Sequence, residues 1–251
     1  MKNKIFKKII GILGYKLIDK NHIKNNKSIN DNSYLNNEKI LNYLFSQKKI
    51  NYLIQIGAND GLRFDSLNYY IKKNKTKSLL VEPIKENFDD LKNNYKDCEN
   101  IIFENLAISV NNEISYLYKV NPLRLKNYSG DHFAGITSFD KNHLIKHGVK
   151  KKDIIKDKVN SISINDLITK HTLDKFDLLF VDAEGYDADI VNDFLKTSLI
   201  RPTIIFEYFH VPNKKLINLV KQLKEKKYIF FSVCENMFCF PEENNPFINF
   251  N

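Results

Sequence analysis

The chain has 251 residues, 43% of them hydrophobic and 27% charged, a globular composition that excludes wholesale disorder. Lys and Arg outnumber Asp and Glu by 39 to 30, for a formal net charge of +9. Three cysteines exclude a disulfide scaffold and suit a reducing compartment.

No apolar run approaches the ~20 residues needed to span a membrane. Near the N-terminus Ile5, Ile9 and Leu13 share one helical face, flanked by Phe6, Ile10 and Leu17, with Lys4, Lys7 and Lys8 opposite. That pattern fits a helix lying on an anionic membrane surface, or a first helix packed on the core or on another subunit. The polar stretch 21–36 reads as a linker. Residues 1–36 are therefore expected to be a basic amphipathic helix and linker, and residues 37–251 one domain.

From there strand and helix patterns alternate. Helices are expected at 38–47, 67–73, 84–95, 141–147, 165–170, 188–195 and 213–225. Strands are expected at 52–56, 78–81, 101–108, 113–120, 159–164, 176–181 and 203–206. Residues 121–139 lack periodicity and read as loop. The chain closes with 228–233, a turn at Glu235-Asn236, and 237–240, an antiparallel hairpin. Strands alternating with helices predict an α/β fold: a mostly parallel sheet with helices on both faces and a C-terminal antiparallel hairpin.

In such a sheet ligands bind beyond the carboxyl ends of the strands. The first strand is followed by Gly57-Ala58-Asn59-Asp60-Gly61, which is neither G-x-G-x-x-G nor a Walker loop. The second is followed by Glu82, placed to accept hydrogen bonds from a ribose diol, or else to sit at the dipole of the next helix. Strand 176–181 leads into Asp182, Glu184 and Asp187, and strand 203–206 into Glu207 and His210. If those strands are neighbours, Asp182 and Glu207 face one crevice, where they can orient an acceptor or bind Mg²⁺, with His210 as candidate general base. His143 and His147 have a zinc-compatible i, i+4 spacing but no third ligand in sequence, and read as a solvated helix face. Cys234 and Cys239 read as structural thiols.

Tyr52-Leu-Ile-Gln-Ile-Gly-Ala-Asn-Asp-Gly61, Val81-Glu-Pro83, Asn105-Leu-Ala-Ile108, Ile162-Ser-Ile-Asn-Asp166 and Leu179-Phe-Val-Asp-Ala-Glu-Gly-Tyr-Asp187 occur in an order that resembles the FkbM-family S-adenosylmethionine-dependent methyltransferases. Gly135-Ile-Thr-Ser-Phe139 and Ile205-Phe-Glu207 are similar to further motifs of that family. The resemblance implies a Rossmann-like class I methyltransferase sheet in residues 37–251 and O-methyl transfer to a sugar or natural-product hydroxyl. Carried onto this chain, it implies that Gly57, Asn59 and Gly61 surround the methionine and ribose moieties. Glu82 would hold the ribose, Asn105 and Ala107 would flank the adenine, and Asp182 would sit beside the methyl donor.

The expected function is methylation of a carbohydrate or glycoconjugate hydroxyl, in the cytoplasm, with peripheral contact at the inner face of the membrane through residues 1–20. Two rivals remain. The basic charge allows an RNA methyltransferase, although no RNA-binding module and no Asn/Asp-Pro-Pro-Tyr motif is present and Arg, the favoured base-reading residue, is nearly absent. A non-catalytic membrane-attached cofactor-binding module is the other, and the acids at 182, 184 and 207 argue against it.

Overall fold

The computed structural model describes residues 35–47, 50–110, 115–130 and 132–245. The amphipathic helix and nearly all of the linker read from the sequence lie outside them. Residues from Asn37 onward form one compact unit.

Helix α1 (Asn37–Gln47) is followed by β1 (Tyr52–Ile56), α2 (Asn68–Asn74), β2 (Lys77–Val81), α3 (Lys85–Asn94), β3 (Ile101–Glu104), β4 (Ala107–Ile108) and β5 (Ser115–Val120). Then come α4 (His132–Gly135), β6 (Thr137–Ser138), α5 (Lys141–Lys146), β7 (Ile154–Val159), β8 (Ser161–Ile162) and α6 (Ile164–Lys170). The last elements are β9 (Leu178–Val181), α7 (Asp187–Thr197), β10 (Thr203–Glu207), α8 (Asn213–Glu225), β11 (Tyr228–Val233) and β12 (Asn236–Pro241).

Seven strands form the central sheet in the order β11-β12-β10-β9-β1-β2-β3. Neighbours from β10 to β3 are parallel, and β12 runs antiparallel between β10 and β11. The expected mostly parallel sheet with a closing antiparallel hairpin is what the chain forms. Consecutive side chains point to opposite faces. Ile54, Leu79 and Leu179 therefore pack with Leu167 of α6, Phe194 of α7 and Leu219 of α8. Leu53, Leu80 and Leu178 pack with Leu44 of α1, Ile71 of α2 and Leu91 of α3. Both faces are covered, so the strands read as continuous apolar runs rather than alternating ones. The chain leaves β1 towards β2 and β3, then crosses back to β9 and β10. The crevice therefore opens beyond the carboxyl ends of β1 and β9.

Three expectations change. The single strand expected at 101–108 is two, because the chain turns at Asn105, whose Nδ2 donates to the carbonyls of Glu82 (2.9 Å) and Pro83 (3.1 Å). β3 stays on the sheet edge while β4 pairs with β8. Residues 121–139 are not plain loop: Asn121 accepts a hydrogen bond from the Leu123 N–H, capping a 3₁₀ turn, Pro122–Asn127, and α4 and β6 follow. β7 completes a small antiparallel sheet, β6-β5-β7, and begins five residues earlier than expected. Its Lys156, Asp157 and Lys158 break the apolar signal that marks a strand.

Candidate active site

A cavity of about 470 Å³ opens at the crevice, within the ~300–1,000 Å³ range of small-molecule sites. The turn after β1 forms its floor. Gly57 adopts φ +80° and donates its N–H to the Val81 carbonyl (3.0 Å), and a side chain there would collide with the Asp182 carbonyl. Only glycine meets both demands. Asp60 holds the next residues by accepting the N–H groups of Leu62 (2.9 Å) and Arg63 (2.8 Å), with the Arg63 guanidinium on its second oxygen. Arg63 lines the cavity.

Glu82 lies at one end of the cavity, 4% exposed. Its two oxygens accept the N–H groups of Asn59 (3.0 Å) and Ile84 (2.8 Å), so it ties the turn after β1 to the start of α3. Burial pushes its carboxyl up to about 7 despite those bonds. Asn59, at φ +49°, also lines the cavity, and its buried Oδ1 has no hydrogen-bond partner within the protein; nor does the Oε1 of Gln55 nearby. Buried acceptors of this kind ask for donors from a ligand. A nucleoside with ribose hydroxyls and an amine fits them. Ala107 lines the same cavity.

The other end is acidic. β9 and β10 are paired, Val181 opposite Phe206, so Asp182 and Glu207 emerge side by side, as their expected adjacency required. Both line the cavity. Asp182 faces the cavity space yet lies deep in the molecule; burial, then Glu184, Asp65 and Glu235, push its carboxyl up to about 7. Burial, then Asp182, Asp187, Glu184 and Glu235, push Glu207 up to about 9. His210 Nε2 lies 3.6 Å from Glu207 Oε1, and burial, then the nearby His143, lower its imidazole. This is a crowd of carboxyl groups that a cationic ligand would relieve.

Several expected roles shift. Gly61 does not line the cavity: it holds φ +71°, and a methyl there would meet Leu91 and Tyr95 at 2.6 Å, so it packs the turn against α3. Asn105 is likewise not on the cavity wall; its amide is spent on the carbonyls of Glu82 and Pro83. Asp187 is fully buried and accepts the N–H groups of Ala183 and Gly185 (both 3.0 Å), bracing the loop after β9. Asp182 belongs to neither group of metal-capable donors among the described residues; Glu207 belongs to one, with Glu184 and His210. His143 and His147 are not on a solvated face. His143 is 8% exposed, its Nε2 lies 3.0 Å from Glu184 Oε2, and His147 lines the cavity. Gln55, Arg63, Asp65 and His147 join the site without having been assigned to it, and Glu184, read only as an acid at its mouth, lines the cavity. For Glu184 and His147 the signals were there, in an acidic loop and an i, i+4 pair, but the contact that joins loop and pair, His143 to Glu184, spans 41 residues.

The methyltransferase FkbM domain profile matches residues 55–230. No curated protein matches significantly. Among solved structures, an FkbM methyltransferase from Methylobacillus flagellatus KT is similar at 14% identity and TM-score 0.46, over 76% of this chain and 44% of that one. This chain thus spans less than half of that protein. An S-adenosylhomocysteine-bound methyltransferase from Podospora anserina is similar at 15% identity and TM-score 0.42, over 80% and 76% of the two chains. A ribosomal protein L11 methylase from Lactobacillus delbrueckii subsp. bulgaricus is similar at 12% identity and TM-score 0.40, over 80% and 74%. None of these three reaches 0.5, so the profile match carries the assignment. It spans the turn after β1, Glu82, Asp182 and Glu207, and on that basis the chain belongs to the FkbM methyltransferase family.

Proposed function

We propose that the protein transfers the methyl group of S-adenosylmethionine to a hydroxyl of a carbohydrate or glycoconjugate. The observation that carries this reading is one cavity with a buried ribose-type carboxylate, Glu82, at one end and the paired strand-end acids Asp182 and Glu207 at the other. When bound, the donor supplies a methyl on a cationic sulfur. The acids at the far end favour that positive charge, and Arg63 is a cation on the wall for the donor's carboxylate.

Transfer is an in-line displacement: the C–S bond breaks as the C–O bond forms, and the hydroxyl proton leaves. The chain's work is alignment and proton removal. Asp182 and Glu207 orient the acceptor hydroxyl. His210, kept neutral by its lowered pKa, is the base beside them. Phe64, 66% exposed on the cavity wall, offers an apolar face to the C–H side of a sugar ring. The wall carries Asp65, Glu82, Asp182, Glu184 and Glu207 against Arg63, which disfavours a polyanionic acceptor such as RNA. Mass spectrometry of glycan and RNA pools incubated with methyl-labelled donor tests the reading. Label in a glycan fraction is expected; label confined to RNA would overturn it.

A further inference from the structure

Three of the chain's six histidines meet at the acidic edge of the cavity. His143 and His147 stand one turn apart at the end of α5, and His210 enters from the turn after β10. Their ring centroids are 4.6, 4.7 and 4.9 Å apart. One nitrogen from each lies within 4.8 Å of the other two. We propose that His143, His147 and His210 bind a first-row divalent transition-metal ion, zinc foremost, at the cavity wall, with Glu184 orienting His143.

The surroundings separate this from incidental packing of three neutral rings. Rings gathered by packing alone need no carboxylates behind them. Here Glu184 Oε2 lies 3.0 Å from His143 Nε2, the carboxylate–imidazole pairing that fixes a ligand's tautomer and raises its basicity. Glu207 Oε1 lies 3.6 Å from His210 Nε2 and belongs to a second convergent donor group that shares His210 with the first. Imidazole nitrogens suit zinc, cobalt or nickel, whereas Mg²⁺ prefers an all-oxygen shell. Bound zinc sits ~2.0–2.1 Å from imidazole nitrogen, which draws the three nitrogens from within 4.8 Å of one another to about 3.3 Å. A dication here would also offset the crowded acids beside it. Coordination uses the lone pair with which His210 would take the acceptor's proton, so the metal-bound and the proton-accepting chain are alternative states. The inference goes beyond methyl transfer and stands on binding alone.

The test uses the full chain, stripped with a chelator and dialysed. Co²⁺ titration reads the visible ligand-field band, and Zn²⁺ competition against a chromogenic chelator reads stoichiometry. One tightly bound equivalent is expected, with Mg²⁺ failing to compete. His147→Ala and His210→Ala should each weaken binding about 100-fold or more, and Glu184→Gln about tenfold. His171→Asn, remote from the cluster and paired with Glu104, should leave it unchanged. Near-ultraviolet circular dichroism verifies folding, and His147→Gln replaces any variant that unfolds. Absence of a stoichiometric site in the wild-type chain would overturn the proposal. So would affinity unmoved by the His147 and His210 substitutions.

Discussion

At the residue scale, Glu82 ties the turn after β1 to the start of α3 and is the residue proposed to grip the cofactor. Its carboxyl is raised from 4.5 to about 7 by burial, so the neutral form is favoured in the ligand-free protein. Its contribution to stability is therefore complete below about pH 4.5 and lost as pH rises through about 7. Cofactor affinity should run the other way, because ribose hydroxyls donate best to the ionised carboxylate. Between pH 8 and pH 6 the affinity for S-adenosylhomocysteine should fall about tenfold, with proton release on binding. Calorimetry in buffers of different ionisation enthalpy measures both, and flat affinity without proton release would refute the linkage. Gly57→Ala is a sharper case. The added methyl meets backbone at Asp182 rather than a movable side chain, and φ +80° adds about 1–2 kcal/mol of strain. Denaturant unfolding should show a loss of at least ~2 kcal/mol and no measurable cofactor binding. The place of Gly57 and Glu82 on the cavity wall was legible from sequence because each directly follows an apolar strand. Gly61 and Asn105 lie off the cavity wall because they contact α3 and the Glu82–Pro83 backbone, which adjacency in sequence does not reveal.

At the element scale, the loop from β9 into α7 carries Asp182 and Glu184 to the cavity, and Asp187 holds it there. Glu184 takes φ +48° and Gly185 φ +91°, while the Ser138 hydroxyl donates to the Glu184 carbonyl at 3.0 Å. Asp187→Ala leaves two half-buried N–H groups without their acceptor and should cost about 2–5 kcal/mol by chemical denaturation. Asp187→Asn, which keeps one acceptor oxygen, should cost clearly less. Equal losses in the two variants would show that packing, not those N–H bonds, sets the contribution of Asp187. The central strands and α8 were readable because both sheet faces are covered, which leaves uninterrupted apolar runs and a clean helical repeat. Of the small β6-β5-β7 sheet only β5 was, because β7 is half-exposed and carries three charged residues in a row, Lys156, Asp157 and Lys158. That sheet adjoins α5, so the stretch hardest to read is also the one that delivers His143 and His147.

At the scale of the whole molecule, a net charge of +9 coexists with an acidic cavity. Eight Lys against two Asp in residues 1–36 supply +6 of that charge, so the balance says little about the acceptor. Among the described residues no helix is long and apolar enough to cross a membrane. All cavity residues lie between Gln55 and His210, inside the compact unit that begins at Asn37. A chain starting at Asn37 should therefore fold and bind S-adenosylhomocysteine with unchanged affinity. If residues 1–20 act as the basic amphipathic surface helix their pattern predicts, the same truncation should abolish flotation with anionic vesicles, an interaction that salt weakens in the full chain. If this cavity is a methyl-donor site gripped by Glu82, calorimetric titration of the full chain with S-adenosylhomocysteine should find one site per chain, weakened by about 2–4 kcal/mol in a folded Glu82→Ala variant. Unchanged affinity in that variant, or tighter binding of NAD than of S-adenosylhomocysteine, would contradict it.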